Sequence, residues 1–179
     1  RFERPAVMDE LGLAEKKYIV FTLNRKAIIG NDDELRALLV SMMSHVGDVP
    51  VVAPLRKLAA DAVKRIVNEN PLLFEKLHIV APLDYLHFGY LTANALGIVT
   101  DSGNVAEEAT FNTVPCITLN SYTEHIETVK VGSNVLVGED PVQLGEEMAR
   151  MVDGEWKHCG IPERWDARPA ERIVQTLIE

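Results

Sequence analysis

One stretch of the sequence combines the end of an apolar run, a turn and the start of a helical pattern with residues that can bind an anion. It reads Thr100-Asp-Ser-Gly-Asn-Val-Ala-Glu-Glu-Ala109 and follows the apolar, β-branched run at residues 95–99. Ser102 can cap the helix, and Gly103 lets a ligand approach the backbone closely. Helix amino termini also offer unpaired N–H groups and a positive partial charge. The stretch therefore predicts a phosphate site, with a plain capped turn of an α/β sheet as the alternative.

A carboxylate follows in the same predicted helix. Glu108 would repel a phosphate, but a carboxylate can accept two hydrogen bonds from the diol of a ribose. A phosphate-binding turn followed by such a carboxylate is typical of a nucleotide-sugar site. The alternative is that Glu108 is a solvated helix residue.

Strands that alternate with helices must position this turn. Apolar runs without polar alternation predict parallel strands buried on both faces, at residues 17–23, 49–53, 78–81, 95–99, 114–119 and 134–137. Helical spacing predicts helices at residues 7–11, 33–46, 57–70, 123–130, 141–152 and 169–178, with another that begins at 82–88. The fold class is α/β: a doubly wound parallel sheet of about six strands with helices on both faces.

Three further local predictions follow from the pattern. Residues 24–32 form a loop, Gly47 caps the helix at 33–46, and Leu58 faces the core. Because open α/β sheets bind ligands outside the carboxyl ends of their strands, the loops at 22–30, 82–88 and 102–108 are candidates together.

Length and composition predict one domain at residues 16–179, preceded by a charged, Pro-interrupted lead-in or linker at residues 1–15. A net charge of −9 argues against nucleic acid as a partner. No apolar run could cross a bilayer and no secretory pattern begins the chain, so we expect a cytoplasmic protein without a membrane partner. Cys116 and Cys159 lack metal or redox spacing, and neither metal nor cofactor is expected. Arg1 as the first residue suggests a piece of a longer protein.

Three runs of residues together resemble one known family. They are Pro82-Leu-Asp-Tyr-Leu-His-Phe88, the run from Thr100 to Ala109 and Thr123-Glu-His-Ile-Glu127. They resemble the carboxyl-terminal half of the non-hydrolysing UDP-N-acetylglucosamine 2-epimerases, which look like GT-B glycosyltransferases with two Rossmann-like domains around a cleft. The resemblance extends from about Arg1 to the final predicted helix.

The resemblance implies roles for individual residues. Phe88 would help to hold the uracil, Ser102 and Gly103 would face the phosphates, and Glu108 would hold the ribose hydroxyls. Arg25 matches the arginine of the family's Thr-x-His-Arg motif, near the substrate's phosphates or an effector site. The simpler alternatives are that Phe88 is a core residue and Arg25 a surface charge.

The sequence departs from the family at several of these positions. Asn24 stands where the family has its histidine, and because asparagine does not titrate near neutrality any acid–base role there is lost. Residues 27–29 are apolar where polar residues are expected. Asn104 replaces the second glycine of the Ser-Gly-Gly turn, which is tolerable because asparagine accepts left-handed backbone angles. Asn120 and His125 stand where the family has arginines, and Arg56 lies about where it has another histidine.

The resemblance also implies a reaction: removal of the proton from sugar C2, elimination of UDP to a glycal, and re-addition of UDP with C2 inverted. The acid–base carboxylates of the family lie in an amino-terminal domain, so we expect no catalytic residue in this chain, which would bind a UDP-sugar without epimerising it. The expected partners are the UDP-sugar, that domain and a second copy in a homodimer, in cell-envelope polysaccharide biosynthesis. The alternatives are the donor-binding domain of a GT-B glycosyltransferase and a non-catalytic, epimerase-like regulatory domain.

Overall fold

The computed structural model of the protein describes residues 2–120 and 133–156. Their helices and strands, in chain order, are α1 (Ala6–Glu10), β1 (Ile19–Phe21), α2 (Lys26–Ile29), α3 (Asp32–Ser44), β2 (Val51–Pro54), α4 (Lys57–Val67), β3 (Leu77–Val80), α5 (Tyr85–Ala93), β4 (Gly97–Thr100), α6 (Gly103–Phe111), β5 (Cys116–Thr118), β6 (Asn134–Leu136) and α7 (Pro141–Asp153). The helices predicted at 123–130 and 169–178 lie outside the described residues, as do His125 and Cys159.

The strands form one six-stranded sheet in the order β3-β2-β1-β4-β5-β6, with every neighbouring pair parallel. The chain builds outward from β1 to β3, returns to the other side of β1 and builds outward again to β6. Ile19 in β1 is therefore in register with both Val51 of β2 and Gly97 of β4. The loops that leave β1 and β4 lie side by side at this reversal of strand order, where such sheets bind ligands. The predicted fold class is confirmed.

Apolar side chains fill both faces of the sheet, which explains why the strand sequences show no polar alternation. In β1, Ile19 and Phe21 belong to one buried cluster and Val20 to the other. The first cluster includes residues of α3, α4 and α7, for example Leu39, Val63 and Met148. The second includes residues of α1, α5 and α6, for example Met8, Leu91 and Ala109. Helices thus cover both faces, as predicted.

Three of the local predictions were wrong in detail. Residues 24–32 contain the short helix α2, because Ile28 is fully buried and anchors this apolar segment to the core. Leu58 is 67% exposed, since the buried stripe of α4 runs through Ala59, Ala62, Val63 and Ile66 and leaves Leu58 beside it. Gly47 does have a left-handed φ of 61°, but α3 ends at Ser44, so this glycine lies in the turn before β2 and not in the helix cap.

The lead-in segment packs against α5. Val7 and Met8 are buried in the second cluster, the Glu3 N–H donates to Leu86 O at 3.2 Å, and the Lys16 N–H donates to Asn94 O at 2.8 Å. A linker role for residues 1–15 remains a prediction. Among the described helices, none combines the length and the apolar character needed to span a membrane.

Candidate functional site

The candidate site lies where the loops after β1, β4 and β5 meet at the carboxyl edge of the sheet. β1 neighbours β4, and β4 neighbours β5. Two buried threonines join the first pair of loops, with Thr22 Oγ1 and Thr100 Oγ1 2.7 Å apart. The Thr100 hydroxyl also accepts the Ser102 N–H at 3.0 Å. These hydroxyl contacts fix the direction in which both loops leave the sheet.

Asp101 connects all three loops. Its side chain is buried, and Oδ2 accepts the backbone N–H groups of Asn24 at 2.8 Å and Arg25 at 2.6 Å. Its carbonyl oxygen accepts the Asn120 Nδ2–H at 3.2 Å. Within the part of the chain that the structure describes, the buried Asp101 Oδ1 has no hydrogen-bond partner. Asp101 therefore holds the backbone of the Asn24–Arg25 turn through one oxygen alone.

Arg25 extends from this turn toward the loops after β5 and β6. Its Nη1 donates to Leu119 O at 3.2 Å and to Asn120 Oδ1 at 3.0 Å, and its Nη2 lies 3.0 Å from Glu139 Oε2. The side chain stays 40% exposed. Because a guanidinium has five N–H donors in a planar fork, Arg25 can keep these contacts and still present donors to an anion such as a phosphate.

The start of α6 forms the other side of the site. Ser102 is the N-cap, and its Oγ accepts the Val105 N–H at 3.3 Å. The first N–H groups of a helix have no intrahelical acceptor, so the backbone at Gly103 and Asn104 can bind an anion. Asn104 is exposed and lies in the right-handed helix, so its tolerance of left-handed backbone angles is not used there.

Glu108 and Phe88 lie on the helices α6 and α5. Glu108 is half-buried in the second turn of α6. Phe88 lies in the first turn of α5, which Asp84 caps, and it packs against the same buried cluster as Val105. Because α5 follows β3, and β3 is three strands from β4, about 14 Å separates these strand ends. The structure thus links Arg25 to Asp101, the residue before Ser102, and places Phe88 on the helix that follows β3. The ligand roles of these residues stay predictions.

Three residues of this network were missed in the sequence. Asp101 belongs to the motif itself, where an acidic residue directly after a buried strand and before a helix cap could have indicated a loop anchor. Asn120 was noted only for departing from the family, although its amide joins Arg25 to Asp101. Glu139 is far from Arg25 in sequence and no local pattern marks it. Among the described residues, no cluster of three His, Cys, Asp or Glu side chains could hold a metal ion.

Comparison with known proteins identifies the family. The family model for UDP-N-acetylglucosamine 2-epimerase matches residues 1–178. The chain belongs to this family. The recognition made from the three sequence runs is therefore confirmed, while the departures at Asn24 and Asn120 stay predictions.

Individual relatives agree with this assignment. A UDP-N-acetylglucosamine 2-epimerase of Methanocaldococcus jannaschii is 34% identical over 168 residues, which cover 89% of this chain and 44% of the relative. A UDP-2,3-diacetamido-2,3-dideoxy-D-glucuronate 2-epimerase of Pseudomonas aeruginosa is 33% identical over 134 residues, covering 72% of this chain and 35% of the relative. The structure of the M. jannaschii enzyme in complex with UDP-GlcNAc and UDP has a TM-score of 0.73 and 30% identity, and the match covers 98% of this chain and 49% of that one. The chain spans less than half the length of these relatives, which is consistent with a carboxyl-terminal domain.

Proposed function

We propose that this chain is the UDP-sugar-binding domain of a UDP-N-acetylglucosamine 2-epimerase, an enzyme that interconverts UDP-GlcNAc and UDP-ManNAc. The observation that carries the proposal is the network at the carboxyl ends of β1, β4 and β5, in which Asp101 fixes the loops and Arg25 offers a cation. The capped start of α6 follows directly after Asp101. This is the edge at which open α/β sheets bind nucleotides. Family membership supports the ligand class.

In the proposed complex the ligand lies along the carboxyl edge of the sheet. The diphosphate lies between the Arg25 guanidinium and the first turn of α6, where N–H groups and the helix dipole favour negative charge. Glu108 accepts the ribose hydroxyls, and the uracil extends toward Phe88 on α5. An extended nucleotide suits this arrangement, because about 14 Å separates the ends of β3 and β4.

The proposed reaction divides between binding and proton transfer. A base removes the C2 proton, the C1–O bond breaks, and UDP leaves with the electron pair to give a glycal; UDP then adds back as C2 is protonated on the other face. Arg25 and the start of α6 would stabilise the charge that develops on the departing diphosphate. We assign no residue of this chain to the proton transfers and place them in the family's amino-terminal domain. The proposal includes a cytoplasmic location and a homodimer.

Calorimetry of the 179-residue chain with UDP, UDP-GlcNAc and ADP tests the binding role. We expect UDP and UDP-GlcNAc to bind and ADP to bind more weakly. Arg25→Ala should weaken UDP binding by about tenfold to a hundredfold, since a hydrogen bond to a charged group contributes about 1.5–3 kcal/mol. Arg65→Ala is the matched control, because Arg65 pairs with Asp32 at the surface, and it should leave the affinity unchanged. A folded protein that shows no heat with millimolar UDP would refute the proposal.

Asn24 supports a second candidate, a non-catalytic epimerase-like regulatory domain. Its side chain is exposed, and an amide cannot serve as an acid or base near neutrality. The protein that contains this chain together with its amino-terminal domain should be incubated with UDP-GlcNAc in heavy water. Deuterium at C2 of the sugar would establish epimerase chemistry, and it would exclude both the regulatory domain and simple glycosyl transfer. Retained UDP binding without exchange would favour those alternatives.

A further inference from the structure

The cation that the proposed site offers to a diphosphate is already paired with a carboxylate. Arg25 Nη2 lies 3.0 Å from Glu139 Oε2, and the two side chains are 40% and 32% exposed. Nη1 is engaged by Leu119 O and Asn120 Oδ1. Each terminal nitrogen of the guanidinium thus has an acceptor, and the acceptor on Nη2 carries a full negative charge.

The other described groups in contact with Arg25 do not neutralise the negative charge of the Glu139 carboxylate. Asp101 contributes a second, buried carboxylate against the Arg25 backbone. Asn120, which contacts both Arg25 and Asp101, is neutral. Lys26, the adjacent cation in the sequence, is exposed on α2. Among the described groups in contact with Arg25, the Glu139 carboxylate therefore faces the guanidinium and the Asp101 carboxylate the backbone N–H, so a diphosphate at the guanidinium would bring further negative charge beside Glu139.

Glu139 is placed so that it can exchange with a ligand. It lies in the short loop between β6 and α7, and the next residue, Asp140, caps α7 by accepting the Val142 N–H at 2.9 Å. The cap holds the loop backbone, while the partly exposed Glu139 side chain can turn into water. An exposed ion pair of this kind is weak, so phosphate oxygens can replace it.

We infer that Glu139 is an affinity-determining residue that competes with the diphosphate of the ligand for Arg25. The inference rests on the proposed UDP-binding function. A phosphate that binds Arg25 must displace the Glu139 carboxylate or lie close to it, and either event weakens binding. The site consequently holds UDP less tightly than the same site would with a neutral residue at position 139.

Titrations of the 179-residue chain followed by amide NMR shifts test this inference with UDP and with uridine, which lacks phosphates. Glu139→Gln keeps the size of the side chain and an oxygen that can accept from Arg25, but removes the charge. We expect its dissociation constant for UDP to fall about threefold to fivefold, the range that a weak ion pair allows, with uridine binding unchanged. Glu147→Gln is the matched control, because Glu147 pairs with Arg150 on α7 and not with Arg25.

The outcomes separate the two proposals. If the wild-type chain binds UDP and Glu139→Gln binds it equally or less tightly, the competition is refuted while the binding function stands. An equal gain in Glu147→Gln would trace the effect to overall charge, and an equal gain for uridine would trace it to altered structure; each overturns the role of Glu139. If neither wild type nor Glu139→Gln binds UDP, the proposed function fails and this inference fails with it.

Discussion

Replacing Asp101 by alanine should loosen the loops after β1 and β4 at once. Asp101 Oδ2 accepts two backbone N–H groups, from Asn24 and Arg25. Hydrogen bonds to a charged acceptor contribute about 1.5–3 kcal/mol each. Removing the buried Oδ1, which has no hydrogen-bond partner among the described residues, offsets part of this loss, since a buried polar atom without a partner is itself costly. We therefore expect Asp101→Ala to lower the free energy of unfolding by about 3 kcal/mol. In Asp101→Asn one accepting oxygen remains but the charge is lost, and the expected decrease is about 1.5 kcal/mol.

Urea unfolding measures the loss of stability, and amide hydrogen exchange locates it. In both variants the N–H groups of Asn24 and Arg25 should lose protection more than those of the central strands do. Asp61→Ala is a suitable control, because Asp61 forms an exposed i,i+4 pair with Lys57 and its removal should cost about 0.5 kcal/mol. If Asp101→Ala were as stable as this control, or if the two amides kept their protection, Asp101 would not be the anchor of these loops.

Two further predictions concern the core. Gly97→Ala should lower the free energy of unfolding in urea by about 1–3 kcal/mol, because the new Cβ would lie 2.1 Å from Met151 Sδ. Met151→Ala makes room for that Cβ, so the double variant should lose less stability than the two single variants together. Strictly additive losses would contradict this contact. Burial raises the pKa of the Cys116 thiol to about 12, so the folded state keeps the thiol neutral while the unfolded chain ionises near pH 8.5. The resulting stabilisation is complete below about pH 8.5 and declines as the pH rises toward the folded pKa. Between pH 8 and 10, wild type should lose about 2 kcal/mol more than Cys116→Ala in denaturant titrations, and parallel losses would refute the assignment.

The fold was predictable because its signals are local and repeated. Strands such as β1 and β2 are continuous apolar runs, and a strand buried on both faces requires no other pattern. The capped start of α6 was also predictable, since Ser102 and the following residues lie within one turn. The errors arose where one buried side chain decided the outcome. The burial of Ile28 stabilises the helix α2 where a loop was predicted. Leu58 lies beside the buried stripe of α4, in which alanines take the place of larger apolar residues.

The candidate site was only half predictable, because its contacts cross long stretches of chain. Arg25 and Ser102 stood out by their motifs. The side chains that contact the Arg25 guanidinium belong to Asn120, whose amide gave no sign of its role, and to Glu139, in a loop whose sequence looks like an ordinary helix start. Such pairs follow from the strand order, which places β1 next to β4 and brings β5 and β6 beyond them. Strand order is a global property that no local pattern encodes.

The network holds the turn at position 24, where the resemblance implies a histidine in the family, through the backbone. Asp101 accepts a hydrogen bond from the backbone N–H of residue 24 and not from its side chain, so the turn makes the same hydrogen bond whether that residue is histidine or asparagine. The residue itself is exposed to solvent. A residue held by its backbone and free at its side chain can lose an acid–base group without cost to stability. Arg25 is different, because its guanidinium is fixed by Leu119 and Asn120. Arg25, to which the proposed function assigns the diphosphate, is therefore held by both its backbone and its side chain, whereas the contact to Asn24 is made by its backbone N–H.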